Sequence, residues 1–281
     1  MSVELKYKIL GDFDNDVASR QKLLRGWRQK KLAESHVLVA GVGALGNEIV
    51  KDLTLLGVGE ITIVDFDRVV ASNLNRCVLF RRRDIDSYKV DAVARNVREL
   101  DPYGYVKVNA LRKRIEDLGK ADFKGVDVLV SGLDNIMARL YLNAYAVELE
   151  IPLVDGGMDG YLGYVQTVIP YKTPCLYCGV TEHTRAVIEE REQCSGDIPG
   201  IEEKIAAIVT TTAFISAVMS QDVVKIILGV YHYLANGKWP RDTGAPLAGK
   251  RLFVNLRDNV YRVFELSKNP KCEVCGEDEY E

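Results

Sequence analysis

The sequence predicts an α/β fold, a doubly wound, mostly parallel sheet followed by an antiparallel extension toward the C-terminus. Three observations carry this. "HVLVAGVGALGNEIVKDLTLLGVGEITIVDFD", from His36 to Asp67, reads as an apolar strand, a glycine turn, an amphipathic helix and a second apolar strand ending in acid, which is a βαβ unit. Further strand candidates at 105–109, 127–131 and 152–154 alternate with helical patterns at 87–100 and 136–149, the alternation of a parallel sheet. After Pro152 the texture changes: "DGGMDGYLGYVQTVIP" is glycine-rich with short β-like runs, and "RLFVNLRDNVYRVFEL" reads as a hairpin turning at Asp258-Asn259.

Between these β segments, "IEEKIAAIVTTTAFISAVMSQDVVKIIL" at 201–228 is apolar on nearly every side and predicts a helix closed by Gly229, buried in the core or in a subunit interface. With 281 residues, 47% of them hydrophobic, the chain can bury one large core. A formal net charge of −3 gives no global basic field, so nucleic acid is not an expected partner. The N-terminal "MSVELKYKILGDFDND" mixes charges and has no apolar core of a secretion signal, and no apolar run reaches the roughly 18 residues of a membrane span. A cytoplasmic protein without membrane attachment is the expectation.

Six cysteines in a chain of this length are too few for a disulfide scaffold, which turns attention to metal binding or a reactive thiol. "PCLYCG" pairs Cys175 with Cys178, and "PKCEVCG" pairs Cys272 with Cys275. Two such knuckles make a tetrahedral thiolate site that suits Zn²⁺, and four protein ligands leave no open position, so the role would be structural, stapling a distant tail to the body. The competing reading is two redox pairs.

In the βαβ unit, Gly41, Gly43 and Gly46 form GxGxxG, where missing side chains let the backbone turn tightly and approach a phosphate at the helix N-terminus. Asp65 stands about 20 residues after the last glycine, where an acid hydrogen-bonds a ribose hydroxyl. The motif alone says only nucleotide. Asn73, Arg76 and Lys89 follow, with Lys89 in the first turn of a predicted helix, where a cation opposes the helix dipole unless an anion is bound nearby. Asp134 falls just past a strand, at the sheet edge where open α/β sheets bind ligands; beside phosphates it suggests Mg²⁺, and otherwise it is a helix N-cap. A dehydrogenase would need an acid–base group over the nicotinamide, and the three histidines are poorly placed for it: His36 heads a strand, His183 follows the first knuckle, and His232 sits near a glycine-containing loop.

The glycine turn, "DFD", "NLNR", Lys89, "LDNIMAR", "PCLYC" and "NPKCEVCG" occur in an order that resembles the ubiquitin-like-protein activating enzymes and their bacterial relatives, the adenylyltransferases of thiamine and molybdopterin sulfur carriers. The resemblance covers about residues 18 to 276. It implies a Rossmann-like nucleotide domain with an antiparallel extension and a structural zinc site, a single adenylation domain over 1–281 with a nucleotide half at 18–155 and a crossover, modifier-binding and zinc-bearing half at 156–281. It implies ATP with Mg²⁺, adenylation of the C-terminal glycine of a ubiquitin-like modifier or sulfur-carrier protein, and a homodimer. By matching motif, Asp65 would hold the ribose, Asp67, Asn73, Arg76 and Lys89 would contact phosphates, and Asp134 would bind Mg²⁺. "SRQKLLRGW" would place Arg20 as the arginine that reaches the γ-phosphate region from the neighbouring subunit. In "REQCSGDIPG", Cys194 resembles the cysteine that takes the acyl group as a thioester for transfer to a conjugating enzyme. The alternatives are a thiocarboxylate-forming adenylyltransferase and a non-catalytic scaffold subunit. The chain reads as a minimal, stand-alone activator, and Cys77 as a packed small residue.

Overall fold

The computed structural model describes residues 15–180 and 206–276. Eight strands form one sheet in the order β3-β2-β1-β4-β5-β6-β7-β8. The first five in that order, β3 (Lys107–Leu111), β2 (Glu60–Val64), β1 (His36–Ala40), β4 (Val128–Ser131) and β5 (Leu153–Asp159), run parallel. β6 (Leu162–Val168), β7 (Lys250–Asn255) and β8 (Val260–Glu265) complete it antiparallel. Parallel strands are covered on both faces, which is why "VLVA" in β1 is a continuous apolar run and "ITIV" in β2 is apolar but for Thr62, both buried throughout.

One face is covered by α2 (Ala44–Leu56), α3 (Lys89–Leu100) and the long helix α5 (Val209–Asn236), whose apolar side chains share a core with Val37, Val39, Ile61 and Ile63. The short α1 (Gln29–Ala33) adds Leu32 to the same core. The other face is covered by α4 (Ile136–Glu148), which packs Leu142 and Ala146 on Leu38, Leu129 and Leu153. β1 lies between β2 and β4: the chain steps from β1 outward through β2 to β3, then crosses back to add β4 on the other side of β1. That reversal opens a crevice at the carboxyl ends of β1 and β4.

The predicted parallel strands and helices are present with edges shifted by a few residues, and the hairpin turns at Asn259, which adopts a left-handed φ of 54°. The long helix differs most. Gly229 does not close it; the helix runs on to Asn236 and stops at Gly237, which takes the left-handed conformation with φ 69°. Gly229 is a packing glycine, since a Cβ there would stand 3.0 Å from Pro240 and 3.1 Å from Trp239. His232 accordingly lies within this helix rather than by a loop. α5 is also long and apolar enough to cross a membrane by length and composition, contrary to the reading of its sequence, yet 67% of its most apolar window is buried inside the protein. His183 and Cys194 lie outside the described residues.

Candidate functional site

The turn after β1 is built on three backbone contacts that leave no room for side chains. A Cβ on Gly46 would fall 1.8 Å from the Gly41 carbonyl oxygen, and one on Gly132, at the end of β4, 2.8 Å from that same oxygen. Gly41 itself needs the left-handed region, φ 79°, and its N–H donates to the Val64 carbonyl at 2.8 Å. These approaches bring the N-terminus of α2, beginning after Gly43, against the tip of β4. Its first-turn N–H groups have no intrahelical acceptor.

A cavity of about 200 Å³ opens at this junction. Gly41, Gly43, Asp65, Asp67, Lys89 and Asp134 all line it, so six of the predicted site residues converge from the ends of β1, β2 and β4 and the start of α3. Asp65 is nearly buried and fixed by two backbone donors, Val42 N–H to Oδ2 at 2.9 Å and Asp67 N–H to Oδ1 at 2.8 Å. Burial pushes its carboxyl above the ordinary value, against the attraction of Lys89. Lys89 reaches Asp67 at 2.7 Å and Asp65 at 4.0 Å. Burial disfavours its charge, but Asp65, Asp67 and the more distant Asp134 together hold the ammonium above its ordinary value, so it stays cationic at neutral pH.

Asp134 is exposed to the cavity, and its carboxylate accepts no hydrogen bond from the described residues. The N-cap reading falls to its neighbour: Asn135 Oδ1 accepts from the N–H groups of Met137 at 2.8 Å and Ala138 at 3.2 Å, which leaves Asp134 for other work.

Other predicted residues stand outside the lining. Asn73 Oδ1 accepts from Val70 N–H at 3.1 Å, and Arg76 donates to the Ser72 carbonyl at 2.6 Å and to Asn75 at 3.0 Å. Their loop returns to the cavity through Lys89, whose N–H bonds the Asp67 carbonyl at 2.9 Å. Arg20 belongs to the opposite end of α2, because adjacent Gln21 donates to the Leu55 carbonyl at 3.1 Å. Thirteen residues of helix separate that end from Gly43, about 20 Å at 1.5 Å per residue. Cys77 is buried, as its reading as a packed residue expects, and burial pushes its thiol up to about 11.

The four knuckle cysteines meet behind α4, with all four sulfurs within 4.8 Å of one another. Cys175 and Cys272 are 3.7 Å apart and Cys178 and Cys275 3.4 Å, near the roughly 3.8 Å edge of a tetrahedron with 2.3 Å metal–sulfur bonds. The buried Asn143 amide nitrogen meets no oxygen or nitrogen acceptor and stands beside Cys175, where it favours the thiolate, the form that holds a metal. Gly276 is required too, as a Cβ would stand 2.5 Å from the Cys272 carbonyl oxygen. The cluster can hold a metal ion.

Gly132, Lys113, Arg114 and Glu116 line the cavity without having been singled out from the sequence. Their signal was position: Gly132 directly follows β4, and 113–116 follow β3, at the carboxyl edge where such sheets bind ligands.

This geometry defines a class: a doubly wound α/β protein with a glycine turn at a helix N-terminus, a nearly buried acid and a cationic lysine in one switch-point cavity. Residues 15–274 match the ThiF family, and the chain belongs to it. The chain is 38% identical over 149 residues to a ubiquitin-activating enzyme E1-like protein of Saccharomyces cerevisiae, covering 53% of this chain and 23% of that one. It is 34% identical over 155 residues to the Nedd8-activating enzyme E1 catalytic subunit of Drosophila melanogaster, covering 50% and 34%. The chain thus spans from about a quarter to about a third of the length of these curated relatives. In fold it is similar to E. coli MccB crystallised with ATP, with a TM-score of 0.73 and 22% identity over 94% of this chain and 75% of that one. It is likewise similar to PaaA, with a TM-score of 0.69 and 21% identity over 95% and 87%.

Substituting Gly132→Ala pushes a methyl into the Gly41 carbonyl and the Gly46 amide. It is expected to weaken ATP binding at least about tenfold in isothermal titration. Wild-type affinity in that variant would show that the three-glycine contact does not shape the cavity.

Proposed function

We propose that the chain uses ATP to adenylate the C-terminal glycine of a ubiquitin-like protein. The observation that carries this is the convergence of the glycine turn, Asp65, Lys89 and Asp134 on one cavity. Asp65, with one oxygen on each of two backbone N–H groups, keeps lone pairs free for the ribose hydroxyls. The α2 N-terminus and Lys89 offer donors and positive charge to phosphates, and Arg76 joins them from the adjoining loop. Asp134 has the free carboxylate that holding Mg²⁺ requires, and bound Mg²⁺ would neutralise phosphate charge.

The chemistry asks for position and charge. A carboxylate oxygen of the modifier attacks the α-phosphorus, the bond to the bridging oxygen breaks, and pyrophosphate leaves with that electron pair. The attacking group is already ionised at neutral pH, so no general base is needed. In support, neither described histidine lines the cavity: His36 is at the start of β1 with Nε2 against Thr62 Oγ1 at 2.8 Å, and His232 lies far along α5.

Zn²⁺ is the ion we assign to the four cysteines, in a structural role that ties 269–276 to the 175–178 knuckle. The activator acts as a homodimer in the cytoplasm. In support, Arg20 follows the far end of α2, away from the glycine turn of its own chain, a placement that suits a role at the site of a neighbouring copy. Cys194 then takes the acyl group as its thiolate, the sulfur bonding the glycine carbonyl carbon while the bond to the phosphate oxygen breaks and AMP leaves with that electron pair, and a conjugating enzyme accepts the acyl group in turn. Where the acyl-adenylate passes instead to a sulfur donor, the product is a thiocarboxylate on a sulfur carrier.

The test is a non-reducing gel of wild type and Cys194→Ala with a ubiquitin-like protein, ATP and Mg²⁺. An ATP-dependent, thiol-sensitive adduct in wild type alone is expected; no adduct with either protein, where both catalyse ATP–pyrophosphate exchange, would move the thiocarboxylate route to the front. Mixing inactive Arg20→Ala with inactive Lys89→Ala is expected to restore about one quarter of wild-type pyrophosphate exchange, because random pairing gives half heterodimers with one intact site each. No recovery would place Arg20 outside the neighbour's site.

A further inference from the structure

Behind the Asp134 loop lies a buried ionic cluster that the adenylation chemistry does not call on. Arg139, on α4 and buried, sends Nη1 to both oxygens of Asp155 at 3.4 Å and to the Tyr164 hydroxyl, while Tyr164 donates to Asp155 Oδ2 at 2.9 Å. Its second terminal nitrogen, Nη2, donates to the carbonyl of Leu133, the residue before Asp134. The sheet is shaped to admit this cluster. A Cβ on Gly157 would fall 2.6 Å from the Tyr164 ring and 3.0 Å from Arg139 Nη1.

A buried ion pair is a poor way to gain stability, since well-packed apolar side chains do as well or better. What this one supplies is direction. Asp134 is flanked by two pinned residues, Leu133 through its carbonyl to Arg139, and Asn135 through its cap on α4. Ser131, in register beside Asp155 on the neighbouring strand, buries a hydroxyl without a partner among the described residues, so the loop's own polar side chain at that end does not hold it. The Gly132 N–H holds the start of the loop to the Ala40 carbonyl at 2.8 Å, and one residue further on Arg139 is the side-chain tie, at the Leu133 carbonyl.

We infer that Arg139, oriented by Asp155 and Tyr164, is a positioning residue that holds the Leu133–Asn135 loop so that Asp134 faces the metal side of the nucleotide. The inference rests on the assignment of Asp134 to Mg²⁺ made above. Lysine keeps the charge at 139 but lacks the planar fork that reaches Leu133 and Asp155 at once. Tyr164→Phe removes only the hydroxyl and leaves the charges in place.

The experiment measures ATP binding by titration calorimetry with and without Mg²⁺, alongside thermal melts. Wild type is expected to bind ATP more tightly with Mg²⁺. Arg139→Lys and Tyr164→Phe should cut that enhancement about tenfold while changing metal-free ATP binding less than about twofold. In Asp134→Asn protein the enhancement should already be gone, and adding Tyr164→Phe should change nothing further, the non-additivity of residues acting through one group. If Arg139→Lys does not fold, Tyr164→Phe alone carries the comparison. Variants that weaken ATP equally with and without Mg²⁺, or that act undiminished on the Asp134→Asn background, overturn the inference and leave the cluster as packing. Wild type that binds no ATP overturns the proposed function itself, a result distinguishable from the others.

Discussion

The contact on which the site depends is between backbones. The Gly41 carbonyl oxygen lies where Cβ atoms of Gly46 and Gly132 would be, so the β1 turn, the first turn of α2 and the tip of β4 share one small volume. Any side chain at these positions would wedge α2 away from the strands. With α2 seated, its unpaired N–H groups face the crevice between β1 and β4, and the residues following β2 and β4 are carried to its walls. Asp65, Lys89 and Asp134 come from three separate elements, and it is this close approach that lets one cavity gather them.

Within that cavity the charges are arranged to be satisfied in part. Asp65 is held by backbone donors and Lys89 by two carboxylates, so both are ordered before any ligand arrives. Asp134 has no such partner among the described residues. Ordered cation and acid beside an unengaged carboxylate suit a polyanion that brings its own metal ion. The same arrangement gives no role to a proton acceptor, in keeping with a reaction whose nucleophile is an ionised carboxylate.

Much of this was legible from the sequence because it sits at element ends. The glycine turn, Asp65 after β2, Lys89 at the start of α3 and Asp134 after β4 are each marked by a local change of pattern, and the two CxxC knuckles by their own spacing. What escaped was non-local. Arg139 is a single charged residue amid the apolar first turns of α4, and its partners Asp155 and Tyr164 come from strands that meet it only in the folded sheet. Glycine was ambiguous for the same reason. Gly229 looks like a helix stop and is a packing site against Trp239 and Pro240, whereas Gly132 looks incidental and is part of the central contact. Asn135 took the cap that Asp134 could have filled, a choice between neighbours that the pattern does not decide.

The claim at the centre is that adenylation here is run by position and charge, with no titrating base. The most direct measurement is the pH dependence of modifier-dependent ATP–pyrophosphate exchange by the wild-type protein. The account predicts exchange that requires the ubiquitin-like protein and is flat with pH from about 6.5 to 8.5, because the modifier carboxylate and Lys89 keep their charges across that range. Exchange that rises with a single ionisation inside that window would contradict it and point to a proton acceptor in the site.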